Sequence, residues 1–244
     1  MRCAVLIIGS LLWETHKLRR EWRQKRLDLS KLEIVTAPIR YARRSSSRGN
    51  TFTMTFDITS ADGRAVAVPC REQVCSIDDL AREAQHLWHA EQPSARFGPI
   101  CADWGCVGVL FRTGDVPLRS PWNDFFAQKA KAISPTKKTG QLAIPWPKRI
   151  LDGKPYEADI LLATATLAAT NIPSPQQVAD AWVDQGGAHE SYFFHNVKHG
   201  IRTEDDVHIW ERVKERKPVW LKPGTYDDAV TTLELELAQR RPRR

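Results

Sequence analysis

The sequence has no apolar run near the roughly 20 residues that a membrane-spanning helix needs, so it does not read as an integral membrane protein. It has no internal repeat, which sets aside solenoids and propellers. A Gly-x-Ser-x-Gly elbow, a His-Glu-x-x-His pair and a Gly-Lys-Ser/Thr phosphate loop are all missing, and with them the signatures of α/β-hydrolases, zincins and P-loop proteins. Cysteine is scarce and odd in number: Cys3, Cys70, Cys75, Cys101 and Cys106. An odd count argues against a complete disulfide framework. The spacing within Cys70/Cys75 and Cys101/Cys106 is wider than a usual zinc knuckle, so no metal is expected. Reduced cysteines on strands of a cytoplasmic protein are the simpler reading. No small-x-small cleavage site follows the apolar stretch from Cys3 to Trp13, which reads as a buried first strand and not as a signal peptide.

What remains is an ordinary globular balance: 244 residues, 42% hydrophobic and 27% charged. A chain of this length buries about 70–75% of its unfolded surface and folds without staples. The net charge of +7 is unevenly placed. Residues 1–50 hold twelve Lys/Arg against four Asp/Glu, and the end Arg240-Arg241-Pro242-Arg243-Arg244 is basic, so the intervening chain is net acidic. A nucleic-acid-coating protein spreads its basic face over the domain. Here the tail, residues 239–244, reads as disordered and solubilising, and nucleic acid is not the expected partner.

Periodicity gives the elements. Cys3 to Ile8 is a strand buried on both faces, ended by Gly9-Ser10. Leu18 to Leu27 is a charged surface segment around Trp22. Glu33 to Ile39 reads as a strand, followed by a basic loop from Arg40 to Asn50. Thr51 to Ile58 alternates Phe52, Met54, Phe56 and Ile58 on one face, and the turn Ser60 to Gly63 predicts a hairpin with a strand from Arg64 to Cys70. Ser76 and Asp79 predict a capped helix from Ile77 to about Gln92. A further strand is expected over Gly105–Phe111 and another over Ala158–Ala165. Helices are expected after Ser120-Pro121, Ser174-Pro175, Thr203 and Thr225, the last two forming a C-terminal helical extension. Residues 134–157 are the one candidate boundary, between a core over 1–133 and a part over 134–238 that completes the same domain.

Three elements carry chemistry. On a helical wheel from Ile77, the apolar stripe of the predicted helix points near 330°, with Glu91 at about 320° inside it and Glu83 at about 240° on its flank. A carboxylate aimed at a core is costly unless paired or proton-bound, and such a group suits general acid/base work. Glu91 is therefore the candidate catalytic residue and Glu83 its rival. The turn Gly9-Ser10-Leu11-Leu12 offers successive backbone amides to an anion. The stretch from Arg40 to Arg48 holds arginines suited to a carboxylate or phosphate, with Arg40, Arg43 and Arg48 as candidate ligands. His189, His195 and His199 lie among aromatics, with His195 read as part of a pocket wall.

Together these elements resemble the gamma-glutamylcyclotransferase superfamily, including its glutathione-acting ChaC-like branch. That family opens with a strand ending in Tyr-Gly-Ser, often followed by Trp; here the residues are Ile8-Gly9-Ser10-Leu11-Leu12-Trp13, with Ile8 in the tyrosine's place. Its catalytic glutamate follows a Leu-x-x-x-Glu spacing, as Leu87 to Glu91 does. The resemblance implies an α+β fold, a small mixed β-barrel with flanking helices. It implies release of 5-oxoproline from a gamma-glutamyl amine or peptide, with no cofactor. Glu91 is then the acid/base, and the Gly9, Ser10, Leu11 and Leu12 amides hold the substrate carboxylate. The alternative is a non-catalytic binder on the same fold, using the basic stretch for an acidic ligand or RNA.

Overall fold

The computed structural model describes residues 1–93, 96–114, 116–185, 188–221, 224 and 226–240. Its elements run β1 (Cys3–Ile7), α1 (Lys17–Arg26), β2 (Glu33–Ser45), β3 (Thr51–Phe56), β4 (Asp62–Pro69), α2 (Ile77–Glu91), β5 (Cys101–Ala102), β6 (Gly105–Phe111), α3 (Arg119–Lys129), β7 (Ile160–Thr166), α4 (Pro175–Gln185), α5 (Ala188–Lys198), α6 (Asp206–Arg216) and α7 (Asp227–Arg240). The fold is mixed α+β around a seven-stranded sheet of order β3-β2-β4-β1-β7-β6-β5. The apolar run of β1 is central, antiparallel to β4 and parallel to β7. Both β1 and β7 are buried along their whole length, which is why neither shows a polar alternation. Strand β3 leans toward β7: the Thr55 hydroxyl donates to the Thr166 carbonyl at 3.0 Å and accepts from the Thr166 hydroxyl at 2.9 Å. Among the described residues no ladder joins the two edges of the sheet.

Local chemistry sets the helices that frame the site. Helix α2 begins in a capping box, in which the Asp79 amide donates to Ser76 Oγ at 3.2 Å and the Ser76 amide to Asp79 Oδ2 at 3.0 Å. It buries Leu80, Ala84, Leu87 and Trp88. Helix α1 packs beside it. Helix α4 docks on the sheet through Trp182, whose indole donates to the Phe52 carbonyl at 2.9 Å. No helix among the described residues is long and apolar enough to cross a membrane.

Several expectations change. The basic stretch is not a loop from Arg40: β2 continues to Ser45, because its second half pairs with β3 from Ile39↔Phe56 to Ser45↔Thr51. Its first half pairs with β4, from Glu33↔Ala67 to Pro38↔Asp62. The predicted hairpin between Thr51–Ile58 and Arg64–Cys70 is therefore replaced by two pairings made by one long strand. The tight turn falls between β2 and β3, where Gly49 and Asn50 adopt φ of 64° and 59°. Strand β3 stops at Phe56, leaving Ile58 exposed. Helix α5 occupies the aromatic stretch for which no helix was expected. Helix α7 runs through Arg240, taking in the start of the supposed tail; Thr225 and residues 241–244 lie outside the described residues.

The C-terminal helices are pinned by a buried ionic cluster. Arg202 donates to Asp206 Oδ2 and Glu236 Oε2, each at 2.7 Å, while its backbone bonds Arg64 at the start of β4. Asp206 is fully buried, and that burial raises its carboxyl above its ordinary value against the pull of Arg202. Removing one member of a buried pair strands the other charge. Asp206→Ala should therefore lower the unfolding free energy by about 3 kcal/mol, read as a lower urea midpoint at unchanged m-value.

Candidate functional site

A cleft of about 730 Å³ opens where β1 and α2 both end. Gly9, Ser10 and Leu11 line it together with Glu91, Arg19, Arg43, Arg44, Arg48, Glu14, Trp104, Thr164 and Tyr192. The turn after β1 is wound by three bonds: the Leu12 amide donates to the Gly9 carbonyl at 3.2 Å, and the Trp13 and Glu14 amides to the Ser10 carbonyl at 3.2 and 2.8 Å. The amides of Gly9, Ser10 and Leu11 have no acceptor among the described residues. Three successive donors are thus left unengaged at the strand end. Gly9 lies close under Tyr192: a Cβ there would stand 3.3 Å from the Tyr192 hydroxyl, so a side chain would press on that ring.

Arginines of α1 hold this turn from behind. Arg23 donates to the Leu11 carbonyl at 2.5 Å and to the Glu14 carbonyl at 2.8 Å. Arg19 joins the turn to α2: Nη1 donates to Ser10 Oγ at 3.3 Å, Nε to the Ala90 carbonyl at 2.9 Å and Nη2 to the Glu91 carbonyl at 3.2 Å. The last carbonyls of a helix lack internal partners, so a guanidinium there satisfies groups that would otherwise need water. The same side chain lies 3.9 Å from Glu91 Oε2 and pairs closely with Glu14. Burial pulls the Arg19 guanidinium below its ordinary value, Glu91 opposes this, and Arg48 and Arg43 add to it.

The rim is strongly cationic. Arg48 pairs with Glu14 at 3.6 Å and lies over the Tyr192 ring at 4.6 Å. Its own desolvation lowers its pKa. Arg43 lies over the Trp104 ring at 4.5 Å. Tyr192 accepts the Met54 amide at 3.1 Å, and burial raises its phenol above the ordinary value. Four guanidinium groups thus face two carboxylates, and the cleft carries a net positive charge.

Of the residues singled out from the sequence, Gly9, Ser10, Leu11, Arg43, Arg48 and Glu91 come together here. Leu12 does not: its amide closes the turn and its side chain is buried in the core. Arg40 does not either, being held 3.3 Å from Asp57 Oδ2, outside the cleft. Glu83 lies between α1 and α2 in a close ion pair with Arg26, itself bonded to Glu72 at 3.1 Å. His195 stacks on Trp13 at 4.7 Å instead of lining the cleft, and His189 bonds the Thr51 hydroxyl. Sequence reasoning missed Arg19, Glu14, Trp104, Thr164 and Tyr192, which reach the cleft from five separate segments and share no local pattern.

No protein family, curated protein or solved structure matches the chain.

The Glu83–Arg26 pair is a structural contact. Glu83→Gln should lower stability by about 1–2 kcal/mol, seen as a depressed melting temperature, since Arg26 keeps Glu72 as a partner.

Proposed function

We propose that the chain is a gamma-glutamylcyclotransferase-like enzyme that releases 5-oxoproline from a gamma-glutamyl amine or peptide. The observation that carries this reading is the meeting, in one cleft, of the Glu91 carboxylate and the three unengaged amides of Gly9, Ser10 and Leu11. On this reading the curled sheet, with β3 reaching β7 through Thr55 and Thr166, is a form of that family's small barrel. A cytoplasmic setting fits its five free thiols.

The substrate's alpha-carboxylate takes the amides of the turn, with the positive rim adding attraction. The alpha-ammonium gives a proton to Glu91, and the freed amine attacks the gamma-carbonyl of the same molecule. A new carbon–nitrogen bond closes the five-membered ring. The old amide bond breaks as Glu91 returns the proton to the departing nitrogen, and the second proton of the ring nitrogen passes by the same carboxylate to that amine, which leaves as an ammonium. Both reacting groups belong to one substrate, so holding it folded supplies much of the acceleration. The turn braced by Arg23 and the helix end braced by Arg19 provide that fixed geometry. No step calls for a metal or an organic cofactor.

A second reading is favoured by the ion pair at 3.9 Å between Glu91 and Arg19: a carboxylate held by a guanidinium can serve as a fixed counter-charge, and the cleft then serves to bind an acidic ligand without turnover. RNA has less support, since Arg19, Arg23 and Arg26 of the basic N-terminal segment are spent on internal contacts.

Turnover separates the two. Purified protein should release 5-oxoproline from gamma-glutamyl peptides, and Glu91→Gln should reduce that rate by about 10²–10⁴-fold at unchanged melting temperature. Full activity in Glu91→Gln excludes the residue's role, and no turnover by the wild-type protein leaves the binding reading. Glu83→Gln should retain turnover.

A further inference from the structure

The ion pairs of the cleft do not use all of its positive charge. Arg19 and Arg48 have Glu14 and Glu91 as counter-charges. Arg44 is largely solvent-exposed, donates to the Asn50 carbonyl at 3.0 Å and lies over the Phe52 ring. Arg43 is half-buried, and its guanidinium faces a tryptophan ring where the other two inner arginines face carboxylates.

The backbone places Arg43 there by an irregularity. Along a regular strand, residues two apart share a face, so Arg43 would follow Tyr41 into the core. The register instead passes from Tyr41↔Met54 to Arg43↔Thr53, with Ala42 as the extra residue of a bulge. This turns Arg43 to the side of Thr53, which lines the cleft with it. Bulges beside functional sites commonly re-aim one side chain in this way. The aim is then fixed by stacking: Arg43 lies on Trp104, and Trp104 stacks on Trp88 at 4.9 Å and 22°. Trp88 belongs to α2, three residues before Glu91, so the stack holds Arg43 in fixed relation to the acid. Nearby in the lining, the Thr164 hydroxyl is buried with no hydrogen-bond partner among the described residues. An unpaired guanidinium and an unpaired buried hydroxyl in one cleft describe an incomplete anion site.

We infer that Arg43, seated on Trp104, reads a second carboxylate on the part of the substrate that is released, with the Thr164 hydroxyl as an added donor. This rests on the reading above and narrows it to substrates whose departing amine is itself acidic. A planar guanidinium fixed by stacking offers two parallel N–H groups to that carboxylate.

The test compares gamma-glutamylglycine with gamma-glutamylglycinamide, which differ only in the terminal carboxylate. The wild-type protein should prefer the acid by tenfold or more in kcat/KM. Arg43→Met should bring that ratio to within about twofold, and Arg43→Lys, which keeps the charge and loses the planar fork, should fall between. Melting temperatures confirm that each variant is folded, and the lysine variant keeps the comparison valid should the methionine variant not fold. The same two compounds titrated calorimetrically into Glu91→Gln protein give the preference in binding alone. A binding preference that depends on Arg43 without any 5-oxoproline release overturns the catalytic reading and upholds only the contact between Arg43 and the ligand's terminal carboxylate. Release with no preference for the acid, a preference untouched at Arg43, or failure of both compounds to bind overturns the assignment of Arg43.

Discussion

The guanidinium of Arg19 lies between the two halves of the cleft, and the geometry of the site follows from how it is held. One side chain bonds the Ser10 hydroxyl of the turn and the final carbonyls of α2, and lies against the carboxylates of Glu14 and Glu91. A buried cation of this kind is costly unless every N–H finds an acceptor, and here backbone and carboxylate oxygens supply them. The arrangement couples a strand end to a helix end through short, directional contacts, so neither can drift without losing several bonds at once. Arg23 does the same for the far side of the turn.

How the charges are shared explains the character of the cleft. Residues that look like a basic surface in the sequence divide into two sets. Arg19, Arg23 and Arg26 of α1 make internal contacts and act as struts, while Arg43 and Arg44 of β2 and Arg48 of the turn after it line the cavity. Arg19 and Arg48 take the two carboxylates, Glu14 and Glu91, and the cavity is left with a net positive charge.

The sequence carried the parts of this picture that depend on local rules. The apolar run of β1, the Gly9-Ser10 stop and the Ser76–Asp79 cap are each readable within a few residues, and they place the turn and Glu91. The inward angle of Glu91 followed from helical period alone. What escaped was non-local or irregular. Arg40 and Arg43 look equivalent in the sequence, yet a pairing with Asp57 removes one and a bulge turns the other inward. Leu12 looks equivalent to its three predecessors, yet its amide is the one that closes the turn. Tyr192 arrives from a helix rich in aromatics on every side, so no polar stripe announced it. Glu83 looked like a second acid because a wheel cannot show that Arg26 waits opposite it.

The parallel neighbour of β1 has a consequence for biosynthesis. Strand β1 carries the turn, yet its register with β7 pairs Cys3 with Ile160, at opposite ends of a long stretch of chain. As the nascent polypeptide leaves the ribosome, β1 has one flank open until β7 has followed. The cleft thus forms only after β7 and α5, which bring Thr164 and Tyr192, have been made, and the waiting edge needs shielding from other unfinished copies in the meantime.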